Sequence, residues 1–211
     1  MCIRDRSIFI FTRKNNNSNK ISYTSNKISA SNTNSTQNNI NAEKKNIEAT
    51  QNSTMSVEKT EEEISSFSTK IYTKDSARQN NISITCSTLN GTIVTNGSTF
   101  SFCNTIGQAT SSKGYQEADI FDQYGNKKKG LGGGNCQVST TLYNAILKVP
   151  GLSIVERHEH SNKVPYIETG KDAAVAYGSY DLKFKNNTGF DIRIETNVTN
   201  NNVKIVLYKI T

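Results

Sequence analysis

A single cysteine stands where a glycine-rich loop meets the start of an apolar helical pattern. Gly132, Gly133 and Gly134 come just before Cys136, and apolar residues recur behind it at positions 138, 142, 145 and 146, the spacing of one helix face. A thiol in the first turn of a helix lies at the positive end of the helix dipole, which lowers its pKa. We therefore expect Cys136 to be a better nucleophile or metal ligand than an ordinary cysteine. The competing interpretation is a small side chain packed beneath a tight glycine turn.

Both histidines of the chain follow that helix, at positions 158 and 160. On a strand, His158 and His160 project to the same face, and the connection can bring that face beside the helix. Asp172 begins the next predicted strand. Nucleophilic thiol catalysis requires a thiolate, an imidazole that moves protons and a polar group that orients the imidazole. The pattern thus predicts Cys136 as nucleophile, His160 or His158 as base, and Asp172 as the orienting group.

The loop beside the cysteine offers groups that could stabilise a developing negative charge. The backbone amides of Gly133 and Gly134 and the side chain of Gln137 are candidate oxyanion donors. A thiol catalyst of this kind needs no cofactor.

Two other interpretations of the same residues stay open. Cys136, His158 and His160, with Asp172 or a water molecule, have the donor types of an open catalytic zinc site. In the other interpretation, one histidine satisfies the core, the other faces solvent, and Cys136 is packed. The residues would then do no chemistry.

The patterns along the chain predict a single α+β domain with a mostly antiparallel sheet and two main helices. The central helix has Asn135 as its N-cap and ends before Pro150. The first helix is closed by Gly91 and carries on one face Ile82, Cys86, Leu89 and Ile93. Strands are expected at residues 64–72, 99–102, 118–124, 153–160, 173–184, 190–198 and 203–210. The last two form a hairpin, because their apolar residues alternate.

Residues 1–60 lack such patterns. They are rich in Asn, Ser and Lys with scattered apolar residues, so we expect a disordered tail before a domain at residues 64–211. The opening residues 1–6 resemble a read-through artefact of assembled environmental sequences. We therefore expect a fragment whose true start, with any membrane anchor, is missing.

Charge and cysteine content narrow the classes of partner and site. The net charge is +7, but no aromatic-interleaved basic face indicates a nucleic-acid partner. Lys127, Lys128 and Lys129 lie beside the glycine loop and could attract an anionic partner. The four cysteines have neither zinc-finger spacing nor the look of a disulfide framework, although a Cys86–Cys103 bridge stays open.

Several segments together resemble the VanW family. The most specific is residues 132–145, which runs from Gly132 through Cys136 to Ala145. Residues 100–102, 154–161, 170–173, 177–178 and 184–188 also look like the family, in its order and spacing. The resemblance extends from about Phe67 to Lys209.

That resemblance implies an extracytoplasmic bacterial domain of the cell envelope, of a family found in some vancomycin-resistance clusters. The expected partner is cell-wall polymer or a peptidoglycan peptide, and the expected activity is that of a thiol-dependent hydrolase or transferase. The alternative is a non-catalytic module for cell-wall binding or envelope assembly, in which the same motif is structural. A thiol beside an imidazole in an open cleft favours the enzyme, and a sealed Cys136 favours the module.

Overall fold

The computed structural model of the chain describes residues 60–121 and 125–211. The predicted disordered tail and fragment start at residues 1–60 lie outside the described residues, apart from Thr60. Within the described ranges, no helix combines the length and apolar character needed to cross a membrane.

The described residues contain nine strands and three α-helices. The strands are β1 (Glu61–Lys70), β2 (Ile93–Val94), β3 (Thr99–Ser101), β4 (Ala118–Phe121), β5 (Lys127–Gly130), β6 (Leu152–Glu156), β7 (Lys183–Asn186), β8 (Asp191–Val198) and β9 (Asn202–Ile210). The helices are α1 (Ser76–Leu89), α2 (Phe102–Ile106) and α3 (Asn135–Ile146), with a 3-10 turn at Ser111–Lys113.

The strands form three antiparallel sheets. The largest has the order β1-β9-β8-β2, the second has the order β3-β7-β6, and β4 pairs with β5. Helix α3 packs on β1 and β9, while α1 packs on β8 and on α3. The prediction of an α+β fold with antiparallel sheets and two main helices is confirmed.

The predicted C-terminal hairpin is the centre of this core. Strands β8 and β9 pair over their whole length, from Asp191 opposite Ile210 to Val198 opposite Val203. Their alternating apolar side chains are fully buried: Ile192, Ile194, Val203, Ile205 and Leu207. The alternation of apolar and polar residues predicted this burial correctly, because successive side chains of a strand point to opposite faces.

Helix α1 differs from its prediction at its C-terminal end. Ile82, Cys86 and Leu89 are buried as expected, but Ile93 lies in β2 with 52% of its surface exposed. The helix stops at Leu89 because the chain turns at Asn90 and continues through Gly91, whose φ is +79°. Since β2 pairs with β8, sheet formation competes with helix extension at Ile93 and prevails.

The strand predicted at residues 173–184 is mostly absent. Only Lys183–Asn186 forms a regular strand, and the preceding segment makes isolated bridges between His158 and Ala174 and between Ala176 and Tyr180. The backbone N–H groups of Ser179 and Tyr180 both donate to the carbonyl of Ala176, which closes a tight turn.

Two predicted element ends also differ from the structure. Strand β6 ends at Glu156 instead of His160, and Phe102 begins α2 instead of ending β3. Strand β4 reaches Phe121, while residues 122–124 of its predicted range lie outside the described residues. Cys86 and Cys103 are both free, so the disulfide alternative does not form.

Candidate active site

The glycine loop sets Cys136 in the first turn of α3. Asn135, the predicted N-cap, is the first helical residue, and the cap is Gly134 with a φ of +117°. A side chain at Gly134 would be strained at that φ, and its Cβ would lie 2.8 Å from Ile82 Cγ1. Gly133 has no positive φ, but a Cβ there would lie 2.7 Å from that of Ala118. The loop is therefore compressed between α1 and β4.

Asn81 on α1 holds this loop in place. Its Nδ2 donates to the carbonyls of Gln116 (2.8 Å), Leu131 (3.2 Å) and Gly133 (3.0 Å), and its Oδ1 accepts from the Gln116 N–H (2.8 Å). The side chain is fully buried. The sequence analysis missed it, although a polar residue beside Ile82 on an apolar helix face was a usable signal.

The Cys136 thiol is half-buried and touches the backbone of Val175. Sγ lies 3.4 Å from the Val175 carbonyl and accepts from the Val175 N–H at 3.5 Å. Burial alone would raise the pKa of this thiol. The hydrogen bond and charge of His160, then the Val175 N–H and the charge of Arg78, outweigh burial and lower the pKa.

His160 connects the thiol to Asp172. Its Nδ1 lies 2.5 Å from Asp172 Oδ2, and its backbone N–H donates to the same oxygen at 2.7 Å. With Nδ1 facing a carboxylate, Nε2 is the ring nitrogen left for the thiol. Burial lowers the pKa of His160, but the Cys136 sulfur and then Asp172 raise it, and the net direction is upward. A raised imidazole pKa beside a lowered thiol pKa is the signature of a thiolate–imidazolium pair.

Asp172 is buried and is itself held by Arg157, which the sequence analysis missed. Arg157 Nη2 lies 3.2 Å from Asp172 Oδ1 and donates to the Gly170 carbonyl at 2.9 Å, while Nε donates to the Asp172 carbonyl at 2.6 Å. Its guanidinium also lies 5.2 Å from the ring centroid of Tyr143 on α3. Burial would raise the pKa of Asp172, but the hydrogen bonds from His160 lower it.

His158 lies elsewhere. Its Nε2 is 3.0 Å from Glu156 Oε1, and its ring packs on Tyr180 with the centroids 4.6 Å apart. The expected common face for the two histidines does not exist, because β6 ends at Glu156. The structure thus brings together Cys136, His160 and Asp172, without His158.

The alternative zinc ligands Cys136, His158 and His160 are consequently not gathered around one point. Throughout residues 60–121 and 125–211, no group of three or more His, Cys, Asp or Glu side chains is arranged to hold a metal ion.

The side-chain amide of Gln137 forms hydrogen bonds with β1 and with Arg78 of α1. Nε2 donates to Thr69 Oγ1 at 3.2 Å and to the Lys70 carbonyl at 3.0 Å, while Oε1 accepts from Arg78 at 3.2 Å. Both amide hydrogens are therefore used in docking α3 onto the sheet. Among the described residues, the backbone N–H groups of Gly133, Gly134 and Cys136 have no acceptor, so they are available as donors.

A cavity of about 470 Å³ opens beside the thiol. Its lining includes the glycine loop, Cys136 and His160, and Arg78, Asp119 and Lys127 add charges. The remaining walls are largely apolar, formed by Tyr72, Ile120, Phe121, Val164, Pro165, Tyr166 and Val175. Burial and the neighbouring sulfur of Cys136 raise the pKa of Tyr166, so its phenol stays protonated.

Known proteins are similar to this chain over most of the described residues. The family model described as "VanW like protein" matches residues 77–208. Uncharacterized protein YoaR of Bacillus subtilis (strain 168) is 35% identical over 147 residues, which cover 70% of this chain and 48% of that protein. Vancomycin B-type resistance protein VanW of Enterococcus faecalis (strain ATCC 700802 / V583) is 32% identical over 131 residues, 60% of this chain and 46% of that protein. The chain thus spans about half the length of these relatives, and no solved structure matches it.

Proposed function

This chain belongs to the VanW-like family, and we propose that it is a thiol-dependent hydrolase or transferase that acts on peptides of the bacterial cell wall. The observation that carries the proposal is the series of interactions from Cys136 through His160 to Asp172, with Cys136 and His160 both in the lining of one open cavity. A packed structural cysteine would need neither the imidazole nor the cavity.

Each group then has a definite role in amide cleavage. The Cys136 thiolate attacks the carbonyl carbon, and a C–S bond replaces the C–N bond as the His160 imidazolium gives its proton to the departing amine. A water molecule or a second amine next attacks the thioester and gives its proton to His160. Cys136 leaves as the thiolate, and Asp172 stabilises the imidazolium throughout.

The oxyanion formed in these steps requires hydrogen-bond donors. We assign this role to the backbone N–H of Cys136, with that of Gly134 beside it, because these groups have no acceptor among the described residues and adjoin the cavity. The positive end of the α3 dipole favours the same charge.

The substrate and location are proposed from the family. One relative carries the name of a vancomycin resistance protein, and vancomycin resistance concerns the cell wall. A domain that acts on peptidoglycan peptides would work outside the cytoplasmic membrane, at the cell surface.

The first test measures the reactivity of each cysteine by iodoacetamide labelling and peptide mass spectrometry. At about pH 6, Cys136 should react faster than Cys86 and Cys103, because burial raises the pKa of both to about 12. His160→Ala should slow Cys136 at least ~10-fold, since a lost charge-assisted contact is worth roughly 1.5–3 kcal/mol. His158→Ala is the matched control and should leave the rate unchanged.

The second test measures activity on peptidoglycan peptides. Incubation with the full chain should give cleaved or exchanged peptides, and Cys136→Ala should abolish the reaction. If native Cys136 stays unreactive towards iodoacetamide and labels only on unfolding, the enzyme proposal falls and the non-catalytic wall-binding module takes its place.

A further inference from the structure

Arg78 places a guanidinium in the wall of the cavity that contains Cys136. It follows the Asp75 cap in the first turn of α1, and its charge acts on both the Cys136 thiol and the Tyr166 phenol. Its only side-chain hydrogen bond within the described part of the chain is the 3.2 Å contact from Nη2 to Gln137 Oε1. A guanidinium has five N–H donors, so most of its capacity is unused there.

Asp119, the one acid in the cavity lining among the described residues, is already paired. Asp119 lies 2.7 Å from Lys127 Nζ and 2.8 Å from Lys129 Nζ, so this trio carries a net positive charge. Asp172 is paired with Arg157 and His160. Arg78 itself forms no ion pair with a carboxylate among residues 60–121 and 125–211. The cavity therefore has a surplus of positive charge next to the nucleophile.

The apolar walls increase the effect of that charge. Tyr72, Phe121 and Tyr166 line the same space, and walls of low dielectric strengthen the interaction between the guanidinium and an anion. A planar guanidinium with free donors matches the two oxygens of a carboxylate. The peptide substrate proposed above carries carboxylates and no phosphate, so a carboxylate is the anion that we assign to this guanidinium.

We propose that Arg78 forms a carboxylate-binding subsite beside Cys136, which selects acyl substrates with a free carboxylate close to the reacting carbonyl. This inference rests on the proposed function, because it takes Cys136 as the nucleophile. The substrate class is then a peptide bearing a terminal or side-chain carboxylate near the bond that is cleaved.

Two alkylating reagents of nearly equal size provide the test. Iodoacetate carries a carboxylate where iodoacetamide carries a neutral amide, and both report on Cys136 by site-resolved mass spectrometry of the full chain. Arg78→Gln should slow iodoacetate roughly 10-fold and iodoacetamide less than ~3-fold, because the carboxylate alone loses a charge-assisted partner. The His160 imidazolium attracts iodoacetate in both proteins, so its effect cancels in the ratio of the two rates.

Lys127→Gln is the matched control. It removes one positive charge from the same cavity wall, but Lys127 is already paired with Asp119, so the ratio of the two rates should stay within ~2-fold of the wild type. Arg78→Lys keeps the charge without the planar fork and should give an intermediate ratio. The iodoacetamide rate also shows that each variant retains the folded site.

Competition identifies the anion. Acetate should slow alkylation by iodoacetate in the wild type but not in Arg78→Gln, and inorganic phosphate should compete less well than acetate at equal concentration. Stronger competition by phosphate would overturn the assignment to a carboxylate. A rate ratio unaffected by Arg78→Gln would overturn the subsite while leaving the thiol site intact. Failure of Cys136 to react with either reagent would overturn the proposed function and the subsite together.

Discussion

At the scale of single residues, the protonation state of Cys136 depends on a series of side chains, each of which interacts with the next. His160 touches the thiol, Asp172 holds Nδ1 of His160, and Arg157 holds Asp172. Each contact favours the charged form of the group before it, so the thiolate is supported by residues that it never touches. In the proposed mechanism, Asp172 and Arg157 are positioning residues, whereas Cys136 and His160 are the proposed catalytic pair.

Replacing Asp172 should change the pH dependence of thiol reactivity. Asp172 raises the pKa of His160, and the imidazolium lowers the pKa of Cys136, so the thiolate of the wild type persists below the ordinary thiol pKa. In Asp172→Asn the imidazole loses its proton at lower pH and the thiol keeps its proton to higher pH. The pH–rate profile for iodoacetamide should therefore move upward by ~1 pH unit or more.

The control for this experiment is Glu156→Gln, which removes a carboxylate from the other histidine, His158. Its profile should coincide with that of the wild type. A similar upward shift in both variants would mean that general loss of negative charge, and not the contact between Asp172 and His160, sets the reactivity.

At the scale of elements, the site depends on how the glycine loop enters α3. The loop is pinned by Asn81 of α1, and Gly134 turns the chain so that Cys136 falls in the first turn. One turn further along the helix, Ser139 Oγ donates to the Ala173 carbonyl at 2.6 Å, and the Ala173 N–H donates to Thr140 Oγ1 at 2.9 Å. These contacts dock the segment that carries Asp172 onto α3.

Alanine substitutions within the loop should have unequal effects on stability. Gly134→Ala combines a φ of +117° with a Cβ 2.8 Å from Ile82 Cγ1, so it should lower the free energy of unfolding by ~2 kcal/mol or more. Gly132 has no positive φ, and an added Cβ would meet only Asn135 Nδ2, at 3.9 Å. Gly132→Ala should therefore stay within ~0.5 kcal/mol of the wild type.

Urea unfolding measures both values. Equal losses for the two variants would show that the loop responds to added bulk at any position, and that the positive φ of Gly134 is not the constraint.

At the scale of the whole molecule, the two ends of the described domain are joined. The N–H of Thr60 donates to the carbonyl of Thr211 at 2.9 Å, and the N–H of Thr211 donates back at 3.1 Å. Strand β1 then pairs with β9 along its length and covers α3. The first strand therefore begins at Glu61, slightly before the predicted start of the domain at residue 64.

Two N-terminal deletions should have different effects on the stability of the domain. Residues 1–58 lack a core-forming pattern, so their deletion should change the melting temperature by less than ~2 °C. Deletion of residues 1–70 removes β1 and its buried Ser65 and Thr69 contacts to α3, and should abolish cooperative unfolding. Circular dichroism melts measure both. A large drop after the shorter deletion would show that the tail packs on the domain.

The sequence by itself determined the features that depend on local patterns. Alternation along residues 190–210 determined the buried hairpin, and the apolar spacing after Cys136 determined that the cysteine opens a helix. Both follow from the fixed periods of strand and helix, which do not depend on distant residues. The identity of Asp172 as partner of a histidine was predicted by residue type and spacing alone.

Only the tertiary structure decided which of the candidates meet. His158 and His160 are alike in sequence, and the choice between them follows from the end of β6 at Glu156 and from the docking of Ala173 on α3. The sequence made Gln137 a candidate oxyanion donor, but in the structure its side-chain amide donates to Thr69 and Lys70 of β1. Arg78, far from Cys136 in sequence, reaches the same cavity because α1 packs on α3. These outcomes depend on contacts between distant segments, which no local period encodes.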